Sequence, residues 1–460
     1  MPRFLMITHD QDIDRRIIQQ AQALTAQGWC GTIVCLSHDA TGRRGLEEGL
    51  DVDRIALSKI VPDCPVYHRY NAHQQYIMQK LYNGPHNRLG GRWPVLGRLA
   101  SLSYKVASRL NWGMYKLWLY AYYQNRKLFC PLPFNSCFYD AAIAHDADVI
   151  FAHDLPALPA ASRLARERGL PLVYDAHELY YEQKAFSTRQ KKMMRRIEHE
   201  LIVQCAARFT VNQSIAEEMG RRYGCDAPNV LLNAVDAPPG FDVTARPRPF
   251  HKHFGLPQDT RVLLFQGGLM GNRNLENLAA SMAHVTAANA AMVFMGNGPL
   301  RARLEKIVQQ HKQSKRVFFK EAVPQQDVLN WTAGADIGII PYPAVDLNTH
   351  FCTPNKLFEY VQAGLPILAN DLPELRRFVG GLGIGRNVPM ARPQEIAKAL
   401  DQALVEPACL EGYRQALLQR RAELSWQTAS LEYVRVIQDV LSKRIAECEM
   451  RNAESLAQTH

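Results

Sequence analysis

Lys356 and Glu359 stand three residues apart in the stretch CTPNKLFEYVQAGLPILANDLPE. Its pattern predicts a short helix with Thr353 as N-cap, Pro354 at the first position and Gly364 at the end. The free N–H groups of the first turn attract anions, and Lys356 adds a full charge there. Glu359 would repel a phosphate, but a carboxylate accepts two hydrogen bonds from a ribose diol. The pattern therefore predicts a site for a nucleoside diphosphate. A capped core helix with a solvated Lys356 and Glu359 is the rival interpretation of the same residues.

The element that carries this pattern belongs to a regular alternation of strands and helices. The second half of the chain predicts a doubly wound α/β domain with strands at 262–267, 292–296, 317–320, 337–340 and 366–370.

Two loops at predicted strand ends carry further candidates. Gly268, Gly271 and Asn272 precede Arg273 at the start of a helix. Glycines let a backbone approach a phosphate and arginine binds one in a bidentate way, although a plain tight turn explains the glycines equally well. The turn at the next strand end, Gly296-Asn297-Gly298, is also predicted to face a ligand.

The first half of the chain predicts a second α/β domain. Residues 4–36 have a strand–helix–strand pattern, and the first turn lacks the G-x-G-x-x-G fingerprint, so no dinucleotide is expected there. Arg15 and Arg16 in this turn are candidates for contacting an acceptor or a phosphate. A solvated helix start is an equally good interpretation of both arginines.

Polar residues follow two consecutive strands predicted in this half. His153 and Asp154 end one strand, and Asp175, His177 and Glu178 end the next. Because the carboxyl ends of parallel strands meet at one sheet edge, where such sheets bind ligands, we expect a cleft site there. Metal binding is a rival interpretation, since imidazoles and carboxylates cluster in this region.

Length and composition are those of a globular protein with two domains. The chain has 460 residues, of which 47% are hydrophobic and 21% charged. Its first residues do not predict a signal peptide, and no apolar run is long enough to predict a membrane span. The ten cysteines form no C-x-x-C pair, which favours reduced thiols in a cytoplasmic protein and gives no zinc site.

The net charge of +10 is concentrated in the segment 59–127, which contains 11 basic residues, one acidic residue and many tyrosines and tryptophans. Aromatic residues of this kind favour the boundary between lipid and water, and basic residues favour anionic headgroups. Two interpretations remain open: attachment to the inner face of the cell membrane, or a helical insertion packed on its domain. Nucleic acid is not expected as a partner, because no nucleic-acid-binding motif accompanies the charge.

The stretch PNKLFEYVQAGLPILANDLPE closely resembles the nucleotide-sugar site of retaining glycosyltransferases with the GT-B fold, especially family 4. The resemblance implies that Glu359 binds the donor ribose and that Arg273 and Lys356 bind the diphosphate. A second glutamate of the family pattern, eight residues before the first, is Phe351 here. The family's base-reading segment corresponds to Glu321-Ala322, and the donor site includes Thr353, Pro354 and Asn355.

The strand-end residues also resemble family 4 segments. In that family the H-D and D-x-H-E motifs face the donor sugar and the acceptor, which implies a catalytic role for His153 and Asp154. The same comparison implies acceptor-side roles for Asp175, His177 and Glu178. The fold that the chain resembles needs no metal.

These observations predict an α/β protein of the GT-B fold, with two doubly wound Rossmann-like domains facing across a cleft. The N-terminal acceptor-side domain is expected over 1–240 with a basic aromatic insertion at 59–135, and the nucleotide-sugar-binding domain over 251–410. A helix over 411–441 is expected to return toward the N-terminal domain, and 442–460 is expected to be a frayed tail.

The predicted function is transfer of a hexose from a UDP- or GDP-sugar to a hydroxyl of a glycan or lipid-linked acceptor, in cell-surface polysaccharide or glycolipid synthesis. The resemblance implies a retaining, metal-independent reaction with no cofactor beyond the nucleotide-sugar co-substrate. The rival hypothesis is a non-catalytic GT-B-like adaptor that binds membrane or glycan. Phe351, in place of the family's acidic residue, supports that rival.

Overall fold

The structure is a computed structural model that describes residues 1–38, 41–56, 102, 104–115, 117, 135–184 and 186–458. It divides into two compact units, one formed by Met1–Ala21 and Gly28–Leu172 and the other by Gln22–Gln27 and Val173–His460. Most of the basic aromatic segment predicted at 59–127 lies outside the described residues.

The first unit is built on a mainly parallel sheet. Its strands are β1 Arg3–Ile7, β2 Cys30–Leu36, β3 Arg43–Glu47, β4 Leu50–Ile55 and β5 Val149–His153, in the order β3-β4-β2-β1-β5. All pairs are parallel except the β3–β4 hairpin. The helices are α1 Arg15–Ala26, whose last five residues belong to the second unit, α2 Asn135–Ala142 and α3 Asp154–Arg168, and residues 104–115 are also helical.

The second unit contains two parallel arrays. The first joins β6 Leu172–Ala176, β7 Ala207–Thr210 and β8 Asn229–Val230. The other is a six-stranded sheet of β9 Arg261–Gln266, β10 Ala290–Met295, β11 Val317–Lys320, β12 Ile337–Ile340, β13 Ile367–Asn370 and β14 Gly385–Val388. Its strand order, β11-β10-β9-β12-β13-β14, is that of a dinucleotide-binding sheet. All strands are parallel, but successive strands are added on one side of β9 up to β11 and on the other side from β12 onward.

Helices flank these strands, and a continuous apolar core is centred on β9, β10, β12 and β13. They are α4 Thr188–Ile202, α5 Gln213–Tyr223, α6 Pro249–Phe254, α7 Leu275–Ser281, α8 Arg301–Gln310, α9 Val328–Thr332, α10 Leu347–His350, α11 Asn355–Gln362, α12 Pro373–Leu375, α13 Pro393–Val405, α14 Pro407–Arg420 and α15 Trp426–Gln458. The predicted α/β class with doubly wound parallel sheets is confirmed.

Several details of the prediction were wrong. The strands β3, β4 and β14 were not predicted, and one helix was predicted where α14 and α15 are separate. The hairpin was missed because β3 is almost fully exposed and has no buried apolar alternation. The helix α15 continues to Gln458, well past the predicted end at 441. The predicted domain limits stay predictions.

Candidate functional site

A cavity of about 470 Å³ opens in the second unit at the carboxyl ends of β9 and β12, where the strand order reverses. Open parallel sheets bind ligands at this point, because the loops after the two strands diverge there. The cavity is lined by His177, Glu178, Val211, Asn212, Ile215, Asn233, Gln266, Gly267, Gly268, Arg273, Tyr342, Asn348, Cys352, Thr353, Pro354, Asn355, Lys356 and Glu359.

Lys356 is a buried cation at one wall of this cavity. Lys356 is only 5% exposed, and its Nζ donates a hydrogen bond of 2.6 Å to the hydroxyl of Tyr342. Nζ also lies 4.8 Å from the ring centroid of Phe265. Among the described residues, Lys356 and Arg273 contact a hydroxyl, a backbone carbonyl and aromatic rings, and neither forms an ion pair with a carboxylate. A buried charge without a counter-ion is costly, so this wall is suited to an anionic ligand.

Arg273 and the glycine loop complete the cationic wall. The Arg273 guanidinium donates a 3.0 Å hydrogen bond to the carbonyl of Gly268, which holds it against the loop that follows β9. Gly267 has φ +110°, and a Cβ there would stand 3.5 Å from Lys356 Nζ and 3.6 Å from Arg273 Nη1. A side chain at this position would therefore occupy the space in front of both cations.

The helix α11 directs its amino end at the same cavity, but it begins one residue later than predicted. Pro354 is the extended residue before the helix, no side chain caps it, and Gly364 closes it with φ +64° as expected. Thr353 is not the N-cap. Its hydroxyl instead accepts a 3.2 Å hydrogen bond from Asn212, so the first N–H groups of the helix are not capped by a side chain.

Glu359 lies one turn deeper and is oriented by residues that the sequence analysis did not identify. Its Oε2 accepts a 2.6 Å hydrogen bond from Gln266 Nε2 at the end of β9. Gln266 Oε1 in turn accepts a 2.7 Å hydrogen bond from Thr332, whose side chain is fully buried. Because a carboxylate only accepts, Glu359 fixes the amide end that faces it, and the threonine hydroxyl contacts the other end. Gln266 is 2% exposed, so the pair is rigid.

A second group of polar residues comes from the end of β6 and the positions just after it. Asp175 lies 3.3 Å from His177 Nε2. Burial raises the pKa of Glu178, and the nearby Asp346 acts in the same direction, while a hydrogen bond from Gln183 opposes them. His177 and Glu178 line the cavity. They place an imidazole and a carboxyl group with a raised pKa where an acceptor hydroxyl could lie.

Asparagines join the cavity's loops and were also missed. Asn212 caps α5 with its side-chain oxygen and donates through Nδ2 to the carbonyl of Phe351 at 2.7 Å. Asn348 makes hydrogen bonds to both backbone groups of Leu179, at 2.9 and 3.1 Å. Asn212 lies two residues after β7, which stops at Thr210, and directly before α5.

Other predicted donor-site residues do not line this cavity. Gly271, Asn272, Asn297, Glu321 and Ala322 are exposed on loops of the same sheet. The neighbouring glycines have a packing reason: a Cβ at Gly296 would meet the carbonyl of Gly267 at 2.1 Å, and one at Gly298 would meet that of Leu269 at 2.4 Å.

The remaining candidates belong to the first unit. His153 is fully buried at the end of β5, and Asp154 begins α3 with φ +61°. Arg16 is 2% exposed at the start of α1, and Arg15 is partly buried beside it. A positive φ in a non-glycine residue marks a backbone held by its surroundings, which is often found near functional sites.

Two family models match the chain. The model of the group 1 glycosyl transferases matches residues 260–406, and that of the glycosyl transferase 4-like domain matches residues 84–235. The first match contains the cationic wall, α11 and Glu359.

Curated relatives and solved structures agree with these models. D-inositol 3-phosphate glycosyltransferase 1 of Catenulispora acidiphila is 25% identical over 62% of this chain and 70% of its own length. The alpha-D-kanosaminyltransferase of Streptomyces kanamyceticus is 22% identical over 54% of this chain and 65% of its own.

Among solved structures, sucrose-phosphate synthase of Thermosynechococcus elongatus matches with TM-score 0.67 and 14% identity, covering 96% of this chain and all of its own. Anabaena HepE in complex with UDP matches with TM-score 0.61 and 12% identity over 95% and 100%. At these identities the likeness establishes the two-domain GT-B fold.

We predict that Gln266 positions Glu359 for ligand binding. Replacing it in a Gln266→Leu variant removes a hydrogen bond to a charged group, which is worth about 1.5 kcal/mol or more, so affinity for a nucleoside diphosphate should fall about 10-fold. Calorimetric titration with UDP and with GDP measures the change. Thr332→Ser keeps the hydroxyl and is the matched control. Unchanged affinity in Gln266→Leu for a nucleotide that the wild type binds would rule out the positioning role.

Proposed function

The chain is a family 4-like glycosyltransferase with the GT-B fold, and we propose that it moves a hexose from a UDP- or GDP-sugar to a hydroxyl of a glycan or lipid-linked acceptor. The proposal includes retention of configuration at the sugar and a role in cell-surface polysaccharide or glycolipid synthesis. UDP complexes among the structural neighbours support a nucleotide-sugar donor.

One observation carries the proposal: two cations without carboxylate partners among the described residues face a cavity that also receives a helix amino end. Lys356 and Arg273 provide charge for a diphosphate. Glu359, held from behind by Gln266, presents a carboxylate one helical turn away. A diphosphate at the cations and a ribose diol at the carboxylate use every charged group of this wall.

The proposed reaction is a displacement on one face of the sugar. The bond between the anomeric carbon and the diphosphate oxygen breaks while the acceptor oxygen bonds to the same carbon from the same face. The acceptor proton passes to the departing phosphate oxygen. Lys356, Arg273 and the N–H groups of α11 stabilise the negative charge that develops on the leaving diphosphate. His177 and Glu178 hold the acceptor hydroxyl.

The proposal needs no divalent cation, because the two side-chain cations offset the charge of the diphosphate. The burial of Lys356 strengthens this effect, since electrostatic interactions are less screened away from water. We therefore expect glycosyl transfer to continue when a chelator of divalent cations is present.

We propose a cytoplasmic protein attached to the inner face of the cell membrane, through the segment 59–127. In its described part, large apolar side chains recur at helical spacing and are 49–71% exposed: Leu102, Val106, Leu110, Met114 and Leu117. Lys105 and Arg109 are exposed on the same stretch. An apolar row beside cations suits an anionic bilayer surface. In the described part of the chain, no helix has the length and apolar character needed to cross a bilayer.

We predict that Lys356→Ala and Glu359→Ala each abolish transfer while the fold survives. Lys356→Ala removes a preorganised cation that stabilises the leaving charge, which lowers turnover by about 10²–10³-fold. Glu359→Ala removes hydrogen bonds to the ribose diol worth about 1.5–3 kcal/mol each, so the donor is no longer bound for reaction. Release of UDP or GDP from a panel of nucleotide hexoses, in the presence of free and lipid-linked glycans, measures it.

Lys306→Ala on the exposed face of α8 is the matched control, and melting temperatures report folding. Wild-type turnover in Lys356→Ala or Glu359→Ala would refute the site. Nucleotide binding by the wild type without turnover on any donor would favour the non-catalytic adaptor.

We predict that the double variant Leu110→Glu/Leu117→Glu loses co-sedimentation with vesicles that contain anionic phospholipid. Burying two leucine side chains contributes roughly 1.5–3 kcal/mol each, so the bound fraction should fall more than 10-fold. Leu46→Glu, on the exposed strand β3, is the control because that leucine is 79% exposed elsewhere in the first unit. Equal sedimentation of wild type and double variant would remove the membrane proposal.

A further inference from the structure

A second cavity, of about 180 Å³, lies at the carboxyl end of α11 and shares no lining residue with the first. It is bounded by the turn that ends α11, by the loop after α9, by a segment before α6 and by α14. The lining residues are Val243, Thr244, Ala245, Arg246, Ala333, Ala335, Ala363, Gly364, Leu365, Glu411, Arg414, Gln415 and Leu418.

Arg414 is the central charged group of this cavity, and its side chain is only 13% exposed. Its nearest carboxylate oxygens, on Asp336 and Glu411, are 4.0 and 3.9 Å away, beyond hydrogen-bonding distance. Its one described hydrogen bond is a long contact of 3.4 Å to the backbone carbonyl of Asp336. A guanidinium has five N–H donors, so most of them have no acceptor among the described residues.

The two carboxylates are already engaged by other groups. Asp336 accepts hydrogen bonds from Arg261 at 3.0 Å and from the backbone N–H of Val262 at 2.9 Å. Glu411 accepts from Gln415 at 2.9 Å and from Arg246 at 3.4 Å. Three arginines therefore share two carboxylates, and the cluster has a net charge of +1.

The excess positive charge of the cluster affects the pKa of Arg414. Burial, and then the nearby Arg246, lower the pKa of Arg414 to about 10. Arginine stays charged in proteins, so a lowered pKa indicates a cation that lacks compensation. A bound anion would supply it.

We propose that this cavity is a binding site for a small oxyanion, the phosphate or carboxylate group of a metabolite, held by Arg414 and Arg246. A water molecule occupies about 30 Å³ of liquid, so the cavity has room for about six waters, or for a phosphate with a short substituent. Guanidinium groups bind such oxyanions in a bidentate way. The site is independent of the nucleotide-sugar cavity, and its existence does not depend on the function proposed for that cavity.

Titration with inorganic phosphate at constant ionic strength tests the site. The measurement uses the full chain with Lys356→Ala, because phosphate would also bind the cations of the donor cavity. We expect this background to retain phosphate binding, and adding Arg414→Gln to weaken it by about 10-fold or more. Arg420→Gln is the matched control, since Arg420 lies on the same helix but pairs with Glu423.

Glu411→Gln is a second variant that tests the same claim at the surface. It removes a carboxylate that competes for Arg414 and Arg246, so phosphate should bind more tightly. Parallel titrations with sulfate and acetate separate a tetrahedral ligand from a carboxylate. Binding to none of the three anions in the Lys356→Ala background, or affinities that neither Arg414→Gln nor Glu411→Gln changes, would overturn the proposal.

Discussion

The structure around the donor cavity depends on one constraint, the burial of the Lys356 ammonium without a carboxylate partner among the described residues. Burying such a charge costs free energy, which nearby dipoles and π-systems offset in part and a bound anion would offset further. Tyr342, Phe265 and the loop at Gly267 provide these dipoles and rings on three sides. The fourth side is the cavity, so the protein's own packing leaves the place of the anion open.

The strand order explains how distant parts of the chain meet that constraint. The reversal between β9 and β12 brings Gln266 and Tyr342 to one edge, and α11 approaches the same edge with its amino end. Gln266, at the end of a buried strand, donates a hydrogen bond to Glu359 and accepts one from Thr332. These bonds hold the Glu359 carboxylate in one orientation. The orientation of the carboxylate thus comes from the core, whereas the cation Arg273 lies on the loop after β9.

Features that depend only on residues close together in the sequence, such as the helix α11, could be predicted. The spacing of Lys356, Glu359 and Gly364 predicted the helix α11, whose Lys356 and Glu359 line the first cavity. Donor binding in this cavity stays a prediction. Gln266 was not predicted, because it lies 93 residues from its partner Glu359 and resembles any polar strand end. The glycines at 296 and 298 were interpreted as ligand contacts, whereas their tight backbone packing is visible only after the strands are assembled.

The central claim, that Glu359 binds the ribose of a nucleoside diphosphate held by Lys356 and Arg273, is tested most directly by a binding cycle. Wild type and Glu359→Ala are titrated calorimetrically, with a chelator present, with UDP and GDP and with their 2′,3′-dideoxy forms. The account predicts that wild type prefers the ribose form of one nucleotide by about 10-fold or more and that the preference vanishes in the variant. An equal preference in both proteins, or no binding of either nucleotide, would contradict it.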